Sequence, residues 1–459
     1  MKNLKSVKNI LKSICLTTTH LDMKDLMKKQ KFWMNKNGHF ALDKQESENF
    51  YKIANYIRND HVNGYLSNDV SKKDIENFLL EFISEVIILP NQTDKIKKID
   101  SIEIDIKQRV ESKLENHEII SPILNFNIRK KLKFGKMFFY PFTEYQLKKE
   151  MEFIINLLKR NSIMNGKQKS EVIKIWKSIL SFYQNQSIVK CSFLGTSTAA
   201  ELKFYNSALL HINSLKFLFY DIQNYKPSRK KSISNNKYMD TIVKTIDGAK
   251  TTNYRTLEFN FNLADISFLK TKKARIISAI LKDKNKNEID NRILGSINWA
   301  VSSIEKSPKI TDESDFFNSS VYMTPNKYIL SQCLLNILIA FESLLIFKNE
   351  RSQKKELLKY RSIALLENTG FKDSFIIEQI GKAYELRSEL VHEGKFINSP
   401  KSIFQLFVFF RDIVFELIEL KVKEKITMNN QLKKWFLMKE NLIRYKERKS
   451  EFNESKKSK

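Results

Sequence analysis

Residues 383–395 read AYELRSELVHEGK, and the reading of this stretch decides what the rest of the chain is. Ile376, Ile380, Ala383, Tyr384, Arg387, Leu390 and Val391 recur at helical spacing, which makes one stripe of an amphipathic helix that closes at Gly394. Arg387 falls on that apolar stripe, where a charge is costly unless it is paired. Upstream, LLNILIAFESLLIF (334–347) is almost wholly apolar, and its single charge is Glu342. A basic and an acidic residue, each stranded on an inward face, predict an Arg387–Glu342 pair between two helices. Arg361, in ELLKYRSIALL, also lies on a stripe, with Leu357, Leu358, Ala364 and Leu365. A structural ion pair that fixes the register of a helical bundle accounts for these features as well as a functional site does.

His392 lies in the last turn of the same helix, five positions after Arg387. Five positions are about 140° of rotation and about 7.5 Å of rise in an ideal helix, so the two side chains do not share a face. They converge if the long arginine reaches around a helix that is ending, or if the same pair comes from a second subunit. An Arg–His spacing of this kind is weak by itself, because chance supplies it often in a chain of this composition.

Outward from this stretch the periodicity predicts a bundle, with helices near 288–306, 326–347, 353–367, 373–393 and 400–422. Ser399-Pro400 supplies an N-cap followed by proline in the first turn. Residues 421–459 hold thirteen Lys and Arg against five Asp and Glu, with Trp435, Phe436 and Tyr445 interleaved. Before the bundle, SIVKCSFLG (187–195) predicts a strand, 170–186 a helix and 196–220 a long helix. The stretch 123–142 predicts two strands around Gly135, 144–161 a helix, and 254–269 a strand and turn. The apolar run 74–90 is a helix stopped by Pro90, and 94–114 predicts a strand that runs into a helix. NGKQKS (165–170) reads as a linker. The expected class is mostly helical α+β. Its expected regions are a mixed α/β sensor or regulatory part over 1–165, a middle α/β part over 166–287, the bundle over 288–424 and a basic tail over 425–459.

The residues of the bundle resemble the Apea-like branch of the HEPN superfamily. IAFESLL, KYRSIALL and AYELRSELVHEGK carry the likeness, with Tyr384, Arg387, Ser388, His392 and Gly394 on the C-terminal motif and Glu342 on the acidic position. The layout is similar over about 185–422, and the specific motifs lie within 340–395. Two departures stand out. Phe341 replaces a usual leucine, and Glu393 separates the His and Gly that often adjoin, adding a negative charge beside the site. The resemblance implies a metal-independent endoribonuclease, or a degenerate RNA-binding relative, acting in anti-phage defence or in a toxin system, with defence the expected setting. It implies a homodimer whose two Arg–His elements form one cleft. There His392 would be general base or acid, Arg387 would hold the scissile phosphate, Glu342 would orient Arg387, and Ser388 and Tyr384 would support them. The products would be a 2′,3′-cyclic phosphate and a 5′-hydroxyl.

The rest of the chain narrows the classes further. A net charge of +28 suits a polyanionic partner such as RNA, although the lysines are scattered and a lysine-rich composition alone produces the same excess. Lys226, Arg229, Lys230 and Lys231 form a basic loop able to track phosphates. A solvated loop explains them equally. Cys15, Cys191 and Cys333 have no paired spacing, so neither a disulfide framework nor a zinc knuckle is expected. A reducing cytoplasm fits. The N-terminus has no apolar h-region and the longest apolar runs are too short to span a bilayer, so no membrane partner is expected. Glycine-rich phosphate loops are absent, so no nucleotide cofactor is expected. His20, His39, His61, His117 and His211 are isolated, and no metal is expected. EID at 103–105 places two carboxylates on one face of the expected strand without the Gly-Ser turn that a nucleotidyltransferase would need.

Overall fold

The computed structural model describes residues 4–17, 31–35, 38–42, 44–61, 69–124, 126, 128–184, 186–219, 238–255, 257–258, 267–283, 285–305, 323–350, 352–393 and 400–457. The chain is mostly helical α+β. Its first part comprises α1 (Leu4–Thr17), the hairpin β1–β2 (Lys31–Asn35, Gly38–Leu42), α2 (Lys44–His61), α3 (Lys72–Ile87), α4 (Gln92–Asp100) and α5 (Ile102–Ser112). These helices close over a core of their own, with Leu11, Phe50, Ile53, Leu79, Phe82, Ile83 and Ile99 at its centre. α3 opens on a capping box in which Ser71 and Asp74 satisfy each other's backbone N–H. The strand expected within 94–114 is instead helix, because Ile99, Ile102 and Ile106 fall on one helical face and are buried together while Ile104 is exposed. The 103–105 carboxylates therefore lie on a helix, and Asp105 pairs with Lys98.

A seven-stranded sheet follows: β3 (Glu115–Leu124), β4 (Leu132–Phe134), β5 (Met137–Pro141), β6 (Ser187–Gly195), β7 (Tyr238–Lys244), β8 (Ala249–Arg255) and β9 (Leu257–Glu258). The order is β4-β5-β6-β3-β7-β8, antiparallel throughout, with β9 added parallel to the end of β3. Alternation assigns each residue to a face. Ile120, Tyr140, Ile188 and Ile242 face α6 (Glu144–Arg160) and α7 (Gly166–Tyr183). Ile119, Phe139, Val189 and Val243 face the main core with α8 (Ser197–Phe219) and α9 (Lys272–Lys282). The expected linker at 165–170 is the start of α7, where Asn165 and Gln168 form a second capping box.

The bundle consists of α10 (Glu288–Glu305), α11 (Met323–Leu345), α12 (Lys354–Leu366), α13 (Asp373–His392), α14 (Pro400–Lys423) and α15 (Asn429–Lys457). Its apolar residues are continuous with those of the sheet in one core that runs from Ile119 to Phe436. Two features of the structure bear on the expected regions. A cut at 165 separates β3 and β5 from strands they pair with, whereas the apolar cores divide near residue 113. The segment read as a basic tail is a helix with Leu432 and Phe436 fully buried in the bundle, because one of its faces is apolar under the scattered charge.

Candidate functional site

α13 begins in the core and leaves it. Ile376, Ile380 and Ala383 are buried, Tyr384 and Arg387 are half-buried, and Ser388, Val391, His392 and Glu393 are exposed, with Val391 at 59%. The apolar stripe thus runs off the bundle as the helix approaches its C-terminus, and the last turns stand in solvent.

Three helices bring side chains together beside this end. α11 supplies Glu342, next to the fully buried Phe341, whose ring packs edge-on to Phe410 at 5.0 Å. α12 supplies Lys354 at its first position. Gln353, just before it, caps the helix in the left-handed region (φ 59°), a conformation that costs a non-glycine residue about 1–2 kcal/mol. α13 supplies Tyr384 and Arg387. The Tyr384 hydroxyl donates to Glu342 Oε1 at 2.9 Å, and Lys354 Nζ donates to Glu342 Oε2 at 2.5 Å. The Arg387 guanidinium lies over the Tyr384 ring, 5.7 Å from its centroid. Burial, and then the Glu342 charge, hold the Tyr384 hydroxyl well above the usual phenol range, with Arg387 opposing.

The expected Arg387–Glu342 ion pair is therefore not formed. Glu342 is occupied by Lys354 and Tyr384, and Arg387 has no described carboxylate partner. The reason is geometric: α12 starts beside Glu342 and presents a closer cation. Ser388 is exposed and joins none of these contacts, and His392 is exposed one turn further on. The structure thus gathers Glu342, Tyr384 and Arg387, leaves Ser388 and His392 outside that group, and adds Lys354. Lys354 carried no signal in the sequence, since it opens a helix otherwise ordinary in charge. Lys226, Arg229, Lys230 and Lys231 lie outside the described residues.

The inward arginine of the bundle is Arg361. It has no exposed surface, and its guanidinium bonds to both Glu350 oxygens (2.6 and 2.9 Å), Glu440 Oε1 (2.7 Å) and the Leu345 carbonyl (2.5 Å). It stacks against Phe347 at 5.1 Å and Phe436 at 5.2 Å. Arg292 lies on Phe347 at 4.5 Å and donates to the Ser343, Leu344 and Ile346 carbonyls at the end of α11. These arginines satisfy helix ends and carboxylates inside the fold.

Two of the isolated histidines are structural. His211 donates from Nδ1 to the Ser207 carbonyl (2.6 Å) and accepts the Lys136 N–H at Nε2 (3.4 Å), and burial lowers its pKa to about 3. Its ring lies against Gly135, where a Cβ would stand 2.4 Å from Nε2 and φ is +58°, so only glycine fits that turn. His117 is buried with Nε2 at 3.0 Å from the Gly195 carbonyl. Among the described residues no three His, Cys, Asp or Glu side chains come together as a metal-binding group, and no described helix is long and apolar enough to cross a membrane.

No protein-family model, no curated protein and no solved structure matches this chain.

Proposed function

We propose that the chain is a HEPN-type, metal-independent endoribonuclease of anti-phage defence, working in the cytoplasm as a homodimer through its bundle. The observation that carries this reading is Arg387, a half-buried guanidinium laid on an aromatic ring with no carboxylate upon it among the described residues. A structural arginine in this bundle looks like Arg361, enclosed and fully paired. Arg387 keeps its donors for something from outside, and its planar fork suits a phosphodiester.

RNA brings its own nucleophile, the 2′-hydroxyl, so few protein groups are needed. His392, exposed at the helix end, takes the proton of that hydroxyl or gives one to the leaving 5′-oxygen, a role worth about 10²–10⁴ in rate. Arg387 holds the phosphate as negative charge develops on it. Glu342 acts on Arg387 through Tyr384 and not by direct contact. Within one helix Arg387 and His392 point about 140° apart, so a second copy completes the cleft. The N-terminal helical unit, with its separate core, is the part suited to receive a phage-derived trigger.

A second reading is an RNA-binding module without cleavage. Exposed Glu393 directly after His392 favours it, because a carboxylate there repels the phosphate. The test is incubation of wild type, Arg387→Ala and His392→Ala with end-labelled single-stranded RNA in EDTA. Cleavage by wild type alone, leaving a 2′,3′-cyclic phosphate, is the expected result. Equal cleavage by all three proteins removes the assignment, and salt-sensitive binding without cleavage selects the second reading.

A further inference from the structure

We infer that Lys354 is a positioning residue that occupies Glu342, and thereby keeps Arg387 open to a phosphodiester. The inference rests on the proposed reading of Arg387 as the phosphate-binding group. Its own support is the arrangement of four side chains from three helices.

The Glu342 side chain is only one-fifth exposed and follows the fully buried Phe341, a poor place for an uncompensated carboxylate. It needs a cation, and two are near. Lys354 bonds to it directly, while Arg387 lies on the ring of the tyrosine that donates to its other oxygen. Both oxygens of Glu342 are thus filled, one by an ammonium and one by a phenol. Arg387 is left supported from below by a ring and uncovered by any described carboxylate. Were Lys354 absent, Arg387, already on the ring of the tyrosine bonded to Glu342, is long enough to swing off that ring and pair with the carboxylate in its place. That pair would extinguish the anion site from within.

Charge points the same way. Lys354 and Arg387 each carry one positive charge and Glu342 one negative, so the group as a whole is one charge positive. A single phosphodiester neutralises it. The backbone also favours a role for this position. Gln353 is held left-handed without a side-chain cap bond, and this strained residue delivers Lys354 to Glu342. Strain of this kind is kept where a fixed side-chain position matters.

The experiment uses the full chain and a fluorescein-labelled oligodeoxynucleotide, which has the phosphates of RNA but no 2′-hydroxyl and cannot be cleaved by this chemistry. Affinity is measured by anisotropy for wild type, Arg387→Ala, Lys354→Met, Lys354→Arg and the double variant Lys354→Met/Glu342→Gln. Thermal unfolding is followed for each. Arg387→Ala sets the size of the arginine-dependent part of binding, roughly tenfold to a hundredfold for a charge-assisted hydrogen bond. Lys354→Met is expected to lose that whole part, although its own lysine is committed to Glu342. Lys354→Arg keeps it. The double variant regains it, because glutamine still accepts from Tyr384 but no longer attracts Arg387. A merely structural lysine would show its loss and its rescue in thermal unfolding and not in the arginine-dependent part of binding by folded protein. Should Lys354→Met not fold, Lys354→Gln carries the same comparison.

Wild-type affinity in Lys354→Met overturns the inference, and so does a double variant that stays weak. An affinity that Arg387→Ala leaves unchanged overturns it as well. The nuclease reading fails separately. If no protein cleaves RNA but the binding pattern holds, Lys354 keeps its role and the endoribonuclease assignment falls. If wild type cleaves and Lys354→Met binds and cleaves equally well, the assignment stands and the role of Lys354 falls.

Discussion

Arg361 and Arg387 sit on neighbouring helices of one bundle, and the bundle treats the two arginines in opposite ways. Arg361 is sealed between Phe347 and Phe436 and bonded to Glu350, Glu440 and the Leu345 carbonyl. Arg387 rests on one ring, with the nearby Glu342 given to Lys354 and Tyr384. Both are arginines on apolar helical stripes. The difference shows that an inward position does not assign a charge to structure or to function. What assigns it is whether the carboxylates nearby are spent on it.

The sharpest break in the comparison is chemical. Arg387→Ala and His392→Ala should each lower RNA cleavage by about 10²–10⁴, while urea unfolding shifts by no more than about 0.5 kcal/mol for exposed His392 and about 1 kcal/mol for half-buried Arg387. The reciprocal outcome belongs to Arg361. Glu440→Ala leaves a buried guanidinium short of a partner and should cost about 3–5 kcal/mol in the same unfolding measurement. A smaller effect separates the two groups by acid. Burial raises the Glu350 pKa, but hydrogen bonds from Arg361 and the Phe347 N–H outweigh it and bring the value down from 4.5 to about 2. A lowered carboxylate stabilises the fold fully above its unfolded value. That contribution is therefore lost as pH falls from about 4.5 toward about 2, and Glu350→Gln should flatten the unfolding curve over this window. Tyr384→Phe removes one half-buried bond to Glu342 and should cost about 1 kcal/mol, with cleavage reduced as the ring loosens under Arg387. Least of all, Gln353→Gly relieves the left-handed cap and should raise stability by less than about 1 kcal/mol, with looser placement of Lys354 seen as weaker oligonucleotide binding.

Much of the architecture was readable because periodicity and burial agree. The five bundle helices, the strand 187–195 and the long helix after it follow from apolar spacing, and each is packed by that same spacing. The turn at Gly135 was readable because a glycine lay between two alternating runs. What was not readable depended on partners far away in sequence. The stretch 94–114 has alternating isoleucines that suit a strand locally, and only the core beneath it selects the helical set Ile99, Ile102 and Ile106. The site shows the same limit. Glu342, Tyr384 and Arg387 could be picked out as polar residues on apolar faces. Lys354 could not, since its meaning comes from where α12 begins in space. Likewise the enclosed arginine proved to be Arg361, because its second carboxylate comes from α15, seventy-nine residues along.

The strand β3 has a consequence for how the molecule is made. It lies in the middle of the sheet, and its neighbours are β6 on one side and β7 and β9 on the other. A chain emerging from the ribosome can close the first helical unit on its own core by about residue 112, since domains fold as units from the N-terminus. The sheet must then wait for residue 258, and Arg361 must wait for Glu440. Under the proposed function, order of synthesis becomes a safeguard: the part that listens is finished well before the part that cuts.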